Sequence, residues 1–483
     1  MQITAIFRVL GILLMFFSLS MLPPIGVAFW YGDGAWMAFV IALIITLVTG
    51  LLCWFACRHS KNELKAKDGF FIVVLFWSVL SLFGALPLMI AQHPHLTFTN
   101  AVFESVSGLT TTGATVLTGI DKLPHAILFY RQQLQFLGGM GIVVLAVAVL
   151  PMLGIGGMQL YRAENTSLAK ESKLTPRVAQ TAKLLWYLYV GLVVLCALAY
   201  WAAGMSLFDA ICQSFSTVAT GGFSTHDASM AYFNSTTINM IGCVFMLLGG
   251  TNFSLHYYAL QKMNVSFYLK DIEFKTMIIV FAIVIAAVVM MFFLDHSFPN
   301  ILSDLEEATF NTISIGTTTG LTVSSWQKWP YVAPILMLFL AIIGASAAST
   351  SGGMKMVRMI LLVKQGSREI KRLIHPQGVI PIKLGSVIVD NNLLQAVSGF
   401  VAVLGILYVI TIISLMACGL DFQSAFGNSV CALGNLGITV GANASGFGSL
   451  NVVGKWIMVV GMLAGRLEVF SLLVLFSPSF WRR

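Results

Sequence analysis

Four segments of the 483-residue chain carry the same run of small, polar and hydroxyl residues, and each ends on glycine. They are Asn100–Gly113, Asp209–Gly222, Glu307–Gly320 and Ser424–Gly437, and they align without a gap. The second position is alanine throughout, at Ala101, Ala210, Ala308 and Ala425. The fifth is a polar group of similar shape, Glu104, Gln213, Asn311 or Asn428, followed by a small hydroxyl at Ser105, Ser214, Thr312 or Ser429. Backbone carbonyls and threonine hydroxyls, as at Thr110–Thr112 and Thr317–Thr319, can replace the water around a weakly hydrated cation. A terminal glycine lets the backbone turn its carbonyls inward without a side-chain clash. One copy alone would read as an ordinary turn outside the membrane. Four copies in register, each lying between apolar blocks, point to a pore.

The elements that must hold these segments follow from composition. The chain is 58% hydrophobic and 10% charged, with a mean hydropathy of +0.89, and its apolar residues run in long blocks. A helix needs ~20 apolar residues to cross the ~30 Å hydrocarbon layer. Ten blocks are that long, near 5–30, 35–57, 70–91, 126–150, 183–203, 238–261, 276–294, 331–363, 393–418 and 452–476. The first lacks a small-x-small cleavage signature and reads as a retained span, so the chain is expected to begin at Met1 in its mature form.

Between the spans, each repeated segment is about ten residues of helix, too short to cross. Asn100, Asp209, Glu307 and Ser424 are predicted to cap these half-helices, accepting hydrogen bonds from the free amides of the first turn. Entering from outside, the helices aim carboxyl ends worth about half a negative charge each at the middle of the membrane. Irregular backbone at that depth is tolerated only where protein buries it or it lines water. Each unit is therefore span, half-helix, glycine-ended loop, span, in an all-α polytopic fold.

Of the 27 Lys and Arg, only Lys122, Arg131, Lys328, Lys455 and Arg466 fall outside one set of alternate loops and the two termini. That bias places both termini in the cytoplasm. It also accounts for the formal net charge of +8, with anionic lipid headgroups as the partners of the basic loops and no nucleic acid required. The seven cysteines lie in or beside apolar blocks without a paired ligand motif, and read as packing residues.

Two further features stand out. Gly344–Gly353 is dense in small polar residues, a composition that breaks a helix inside the membrane or else permits close helix packing. Arg466 is a cation in the last block, costly unless it faces protein or water, with snorkelling to the inner headgroups or pairing with a carboxylate elsewhere as the alternatives.

With these residues in view, the chain resembles the Trk/Ktr/HKT superfamily of potassium and sodium transporters, and its bacterial potassium-uptake subunits in particular. The likeness covers essentially the full length and rests on Thr110–Thr115, Ala219–Thr225 and Gly465–Phe470. It implies two leading transmembrane helices followed by four span, pore-helix, span repeats around a pseudo-fourfold pore. The expected boundaries are 1–60 for the leading helices and 68–155, 180–265, 272–365 and 391–480 for the repeats. The third repeat has a broken second helix, and 366–390 forms a basic cytoplasmic segment. The resemblance also implies a homodimer in the bacterial inner membrane, with a TrkA-like, nucleotide-binding cytosolic subunit as regulator.

By the same resemblance, potassium is bound by the carbonyls of Thr111, Thr112 and Gly113, of Thr220, Gly221 and Gly222, of Thr318, Thr319 and Gly320, and of Asn435, Leu436 and Gly437. The fourth set departs from the threonine pattern. Glycine in all four closing positions suggests potassium over sodium, with rubidium accepted. Gly344, Ser346, Gly352 and Gly353 then belong to a gate loop beneath this filter, and Arg466 adds a charge barrier there.

The chain is expected to be a transporter and not an enzyme. Its serines at 344–353 with His256 could mimic an intramembrane protease, but they match no Gly-x-Ser-x-Gly motif and leave the repeats unexplained. The alternative to a channel-like pathway is a proton- or sodium-coupled symporter. No carboxylate relay is obvious in the spans, and voltage alone supplies about 2.3 kcal/mol per charge per 100 mV. His226 and Asp227 read as outer-mouth or loop residues, His256 as a packing histidine, and Arg131 as an interface anchor or a brace for a pore helix.

Overall fold

A computed structural model describes residues 2–58, 66–148, 178–295, 301–330, 332–385 and 387–481. The basic stretch at 162–177, most of that at 58–67, and Arg482 and Arg483 lie outside the described residues. The fold is helical, with one two-stranded antiparallel hairpin pairing Lys383 with Ile388 and Leu384 with Val387.

Helices Ile3–Leu19 and Trp36–Cys57 pack against each other through glycine, because a methyl on Gly11 would stand only 2.7 Å from the Gly50 carbonyl oxygen. Four short helices follow at the repeated segments: Phe98–Leu109, Leu207–Val218, Ile301–Gly316 and Phe422–Gly434. Each lies between two apolar helices of its own repeat. Two apolar cores flank the axis where the four loops meet. One is built from the leading helices with the first and fourth repeats, the other mainly from the second and third. The axis itself is polar and buried, lined by Thr110–Thr112, Thr220 and Thr317–Thr319.

The short helices begin earlier than the sequence reading has them. Ser206 Oγ accepts from the amide of Asp209, and an Asp421 carboxylate oxygen accepts from that of Ser424, so Asp209 and Ser424 sit in the first turn and do not cap it. Thr97 precedes the first helix, and Glu307 lies well inside the third. The alignment starts three residues inside three of the four helices because the capping residues themselves differ.

Among the described residues, six helices are long and apolar enough to cross a membrane alone, and a bent pair makes a possible seventh. That pair, Thr236–Gly249 and Phe253–Gln261, turns by 97° where a single span was expected over 238–261. The tenth block is interrupted as well. Helix Val452–Arg466 ends, Glu468 and Val469 take φ of 52° and 55°, and a new helix runs Phe470–Phe476. Helix Ala333–Ile343 stops before the irregular stretch 344–355, and Met356–Ile374 follows.

The break at 250–252 and the irregular stretch 344–355 share a physical reason, which is that their freed polar groups are used by one another. The Gly249 carbonyl accepts from Thr350 Oγ1 at 3.0 Å, Ser346 N–H donates to Gly250 O at 3.0 Å, and Phe253 N–H donates to Ala348 O at 3.1 Å. Hydropathy registers such segments as apolar and cannot register the break.

Candidate ion pathway

Each short helix ends in the same way. The residues at Thr111, Thr220, Thr318 and Asn435 have φ of 50°, 50°, 55° and 52°, and the closing glycines have φ of 84°, 83°, 84° and 83°. The amide between them bonds back to the helix: Thr112 to Ser107 O at 2.8 Å, Gly221 to Ser216 O at 2.8 Å, Thr319 to Ser314 O at 2.7 Å and Leu436 to Cys431 O at 3.1 Å. This is a helix C-terminal turn of the Schellman type, in which glycine normally takes the left-handed position. Threonine holds it three times here, although a β-branched residue at positive φ is strained. Strain kept in three copies marks a site where the side chain matters.

The loops close into a ring. A Cβ on Gly113 would overlap the Gly221 carbonyl oxygen, one on Gly222 that of Thr319, one on Gly320 that of Leu436, and one on Gly437 that of Thr112. The four copies thus meet in the order first, second, third, fourth, and back to the first. The divergent fourth copy keeps the geometry of the others, and Asn435 Nδ2 donates to Thr112 Oγ1 at 2.9 Å across the seam.

Not every threonine hydroxyl is free for a cation. Thr110 and Thr112 Oγ1 are paired at 2.7 Å, as are Thr317 and Thr319. These hydroxyls are held within the protein, as are those of Thr220, which donates to Ala219 O at 2.7 Å, and Thr318, which accepts from the Gly352 amide at 2.6 Å.

The fifth position of each repeat has a structural role that its recurrence hinted at but did not define. Gln213 Nε2 donates to Ser224 Oγ at 2.7 Å, Asn311 Nδ2 to Ser324 Oγ at 3.1 Å, and Asn428 Nδ2 to Asn443 Oδ1 at 2.8 Å. Glu104 accepts from Thr115 Oγ1 at 2.9 Å and from the Val116 amide at 3.0 Å. Each side chain ties the segment leaving the loop back to its own helix. The first copy alone is charged, and Arg131 neutralises it at 2.8 Å while lying over the Phe223 ring at 4.2 Å. Arg131 is therefore a brace and not an interface anchor.

Above the ring a vestibule of ≈ 780 Å³ is lined by the closing glycines and by His226 and Asp227. His226 Nδ1 lies 2.6 Å from Asp121 and Nε2 lies 3.4 Å from Asp209, joining the outer segments of the first two repeats. Burial alone would lower the pKa of His226; the two carboxylates outweigh it and the net shift is upward.

Below the ring, the stretch 344–355 is bonded directly to the loops. Gly352 N–H donates to Thr318 Oγ1 at 2.6 Å, and Thr350 Oγ1 lies 3.2 Å from Thr220 Oγ1 while donating to Val218 O at 3.0 Å. A methyl on Gly352 would overlap Gly434 O, and one on Gly344 would stand 2.5 Å from Gly352 O. Gly353 takes φ 75°, and Ser346 Oγ faces Met277 at 4.0 Å.

Arg466 is buried beside this stretch, lining a chamber of ≈ 40 Å³ with Ser351, Gly352 and Lys355. Among the described residues its Nε and Nη2 find no hydrogen-bond partner. Glu468 pairs instead with Arg358 at 2.7 Å. His256 is a satisfied packing residue, with Nε2–H donating to Leu248 O at 2.8 Å and Nδ1 accepting from Tyr268 at 2.7 Å.

Sequence reasoning passed over Gln135. The signal was the polar run Arg131, Gln132, Gln133 and Gln135 inside an otherwise apolar block. Thr350 was likewise hidden among the other small residues of its stretch.

A polytopic helical membrane protein whose four repeats meet in one ring of loop carbonyls is the class these observations define. The family model described as TrkH, cation transport protein, matches residues 35–483. The chain is 49% identical over 484 residues to the Trk system potassium uptake protein TrkH of Vibrio parahaemolyticus and 50% identical over 483 residues to that of Escherichia coli K12, each match covering 100% of both chains. It is 39% identical to the E. coli Trk system potassium uptake protein TrkG, over 98% of this chain and 97% of the relative. The crystal structure of the potassium transporter TrkH from V. parahaemolyticus superposes with a TM-score of 0.93, at 47% identity and with 100% of both chains covered. The chain belongs to the TrkH family of cation transport proteins.

Proposed function

We propose that this chain carries potassium into the bacterial cell across the inner membrane, through a selectivity filter formed by the four loops. The observation that carries this reading is the ring in which each closing glycine abuts the carbonyl of the next copy. Twelve residues supply the filter backbone: Thr111–Gly113, Thr220–Gly222, Thr318–Gly320 and Asn435–Gly437. Their carbonyls stand where a dehydrated cation would pass, at the carboxyl ends of four buried helices. Curated relatives alike over their whole length are described as potassium uptake proteins, which supports potassium as the ion.

Gly344, Ser346, Gly352, Gly353 and Arg466 form the gate in this reading. The stretch 344–355 closes the inner end of the filter through Thr318 and Thr220, and Arg466, whose Nε and Nη2 have no hydrogen-bond partner among the described residues, puts positive charge in the path. A TrkA-like cytosolic subunit withdraws the loop, two copies of the chain assemble as a homodimer, and both termini lie in the cytoplasm with the basic segments against anionic lipid. The repeats span 68–155, 180–265, 272–365 and 391–480.

Flow is channel-like, driven by voltage without a coupled ion. Reversal potentials in proteoliposomes under separate potassium, proton and sodium gradients test this. A potential that follows potassium alone is expected; one that moves with pH or sodium would replace this reading by a symporter. Arg466→Ala is expected to raise flux in the absence of any partner, and unchanged basal flux would remove Arg466 from the gate.

A further inference from the structure

The second filter loop differs from its counterparts in one respect. At the residue before the closing glycine, the first and third loops carry Thr112 and Thr319, whose hydroxyls bond Thr110 and Thr317 behind the loop at 2.7 Å. The fourth carries Leu436, and the second carries Gly221. The backbone does not require glycine there, because Gly221 lies outside the left-handed region. What requires it is Gln135. A methyl on Gly221 would overlap the Gln135 amide carbon and stand 2.9 Å from its Cγ.

Gln135 comes from the second helix of the first repeat, His125–Ala148, and is fully buried. Among the described residues its three hydrogen bonds all go to the second repeat. Nε2 donates to Gly221 O at 2.6 Å, while Oε1 accepts from Ser216 Oγ at 2.6 Å and from the Phe223 amide at 3.2 Å. It thus grips the last turn of the pore helix, the carbonyl before the closing glycine and the first residue beyond it. That carbonyl is the one Gly113 abuts, so its position also fixes the seam between the first and second loops.

We infer that Gln135 is a positioning residue for ion selectivity, a side chain lent by the first repeat to hold the second filter loop in place of the threonine that loop lacks. A Gly-Gly pair would otherwise be the softest part of the ring. Potassium and sodium differ in the carbonyl geometry they favour, so a loop free to close around the smaller ion discriminates less. Through Nε2 the amide opposes inward movement of the Gly221 carbonyl. The inference rests on the filter reading above.

The test is rubidium and sodium flux through the purified full-length protein in proteoliposomes. Gln135→Met keeps the bulk and removes all three bonds, and the rubidium-to-sodium flux ratio is expected to fall roughly tenfold, the equivalent of one net hydrogen bond between the two ions. A purely structural role would lower both fluxes together and leave their ratio alone. If Gln135→Met does not assemble, Gln135→Leu decides: it also removes all three bonds, in a smaller volume, so its ratio must fall. A ratio unchanged in the assembled variant overturns the inference. Gly320→Ser separates the two levels of the argument: a ratio lowered there but not at Gln135 sinks this inference alone, and a ratio unmoved at both sinks the filter reading.

Discussion

Arg131 Nε donates to Glu104 Oε1 at 2.8 Å, and both side chains are buried. The pair stands where the other three repeats use neutral amides to bind the segment leaving the loop. Breaking a buried pair leaves a bare charge and costs about 3–5 kcal/mol. Arg131→Met is therefore expected to lower the unfolding temperature of the detergent-solubilised protein markedly and to abolish flux. Adding Glu104→Gln, which reproduces the amide of Gln213, is expected to recover a large part of both. A double variant no better than the single would show that charge balance is not what Arg131 supplies.

The glycine ring predicts asymmetric tolerance of a single methyl group. Gly437→Ala forces a Cβ against Thr112 O, and overpacking of this kind costs about 1–3 kcal/mol. Rubidium flux should drop roughly tenfold or more, accompanied by a loss of preference over sodium. Gly405→Ala, at a position with open space around it, should leave flux unchanged. Equal effects at the two sites, measured in the same vesicles, would contradict the ring.

If the stretch 344–355 is the gate proposed above, removing a bond between it and the four loops should favour an open pathway. Thr350→Val takes away the hydroxyl that reaches Val218 O and Gly249 O, each at 3.0 Å, and Thr318→Val takes away the acceptor of the Gly352 amide. Each bond contributes about 1 kcal/mol net, so basal flux without a regulatory partner should rise about fivefold in either variant. Basal flux at the wild-type level in both would mean that the loop is not held by the filter.

His226 predicts a dependence on external pH. It faces Asp121 and Asp209, with Asp227 beside it in the chain and the Tyr232 ring stacked on it at 3.4 Å. Its pKa is raised, so the stabilisation from the charged imidazole is complete below the unfolded value of about 6.5 and is lost as pH rises through the higher folded value. Uptake and outer-loop protection should therefore change between pH 6 and pH 9 in the wild type and stay flat in His226→Gln. Hydrogen exchange at residues 116–123 and 224–233 is the direct measurement, and identical profiles in the two proteins would exclude the link.

Much of this architecture is legible in the residues themselves. The repeat is visible because Ala101, Ala210, Ala308 and Ala425 and the four closing glycines answer to constraints inside each segment: a half-helix, a left-handed turn, a glycine. Those constraints act over a few residues, so each copy records them locally. Arg131 was also visible as a basic residue outside the cytoplasmic loops, with bracing of a pore helix among its readings. Capping was misplaced by three residues because Ser206 and Asp421 precede the aligned block and the other two helices do not share them.

The breaks at 250–252 and 467–469 were not legible, since each is only three residues long within an otherwise apolar block and the polar groups freed at the first are bonded by the distant stretch 346–350. What the sequence determined by itself was four pore segments set among apolar spans, and the residues that end them. What only the tertiary structure decided was who stands opposite whom: Gly437 against Thr112, Glu468 with Arg358, and Gln135 filling the space that makes Gly221 a glycine. Local backbone rules act between neighbours in the chain and so leave a pattern in it. A contact between residues as far apart as Thr112 and Asn435 leaves none, because it exists only once the helices have packed.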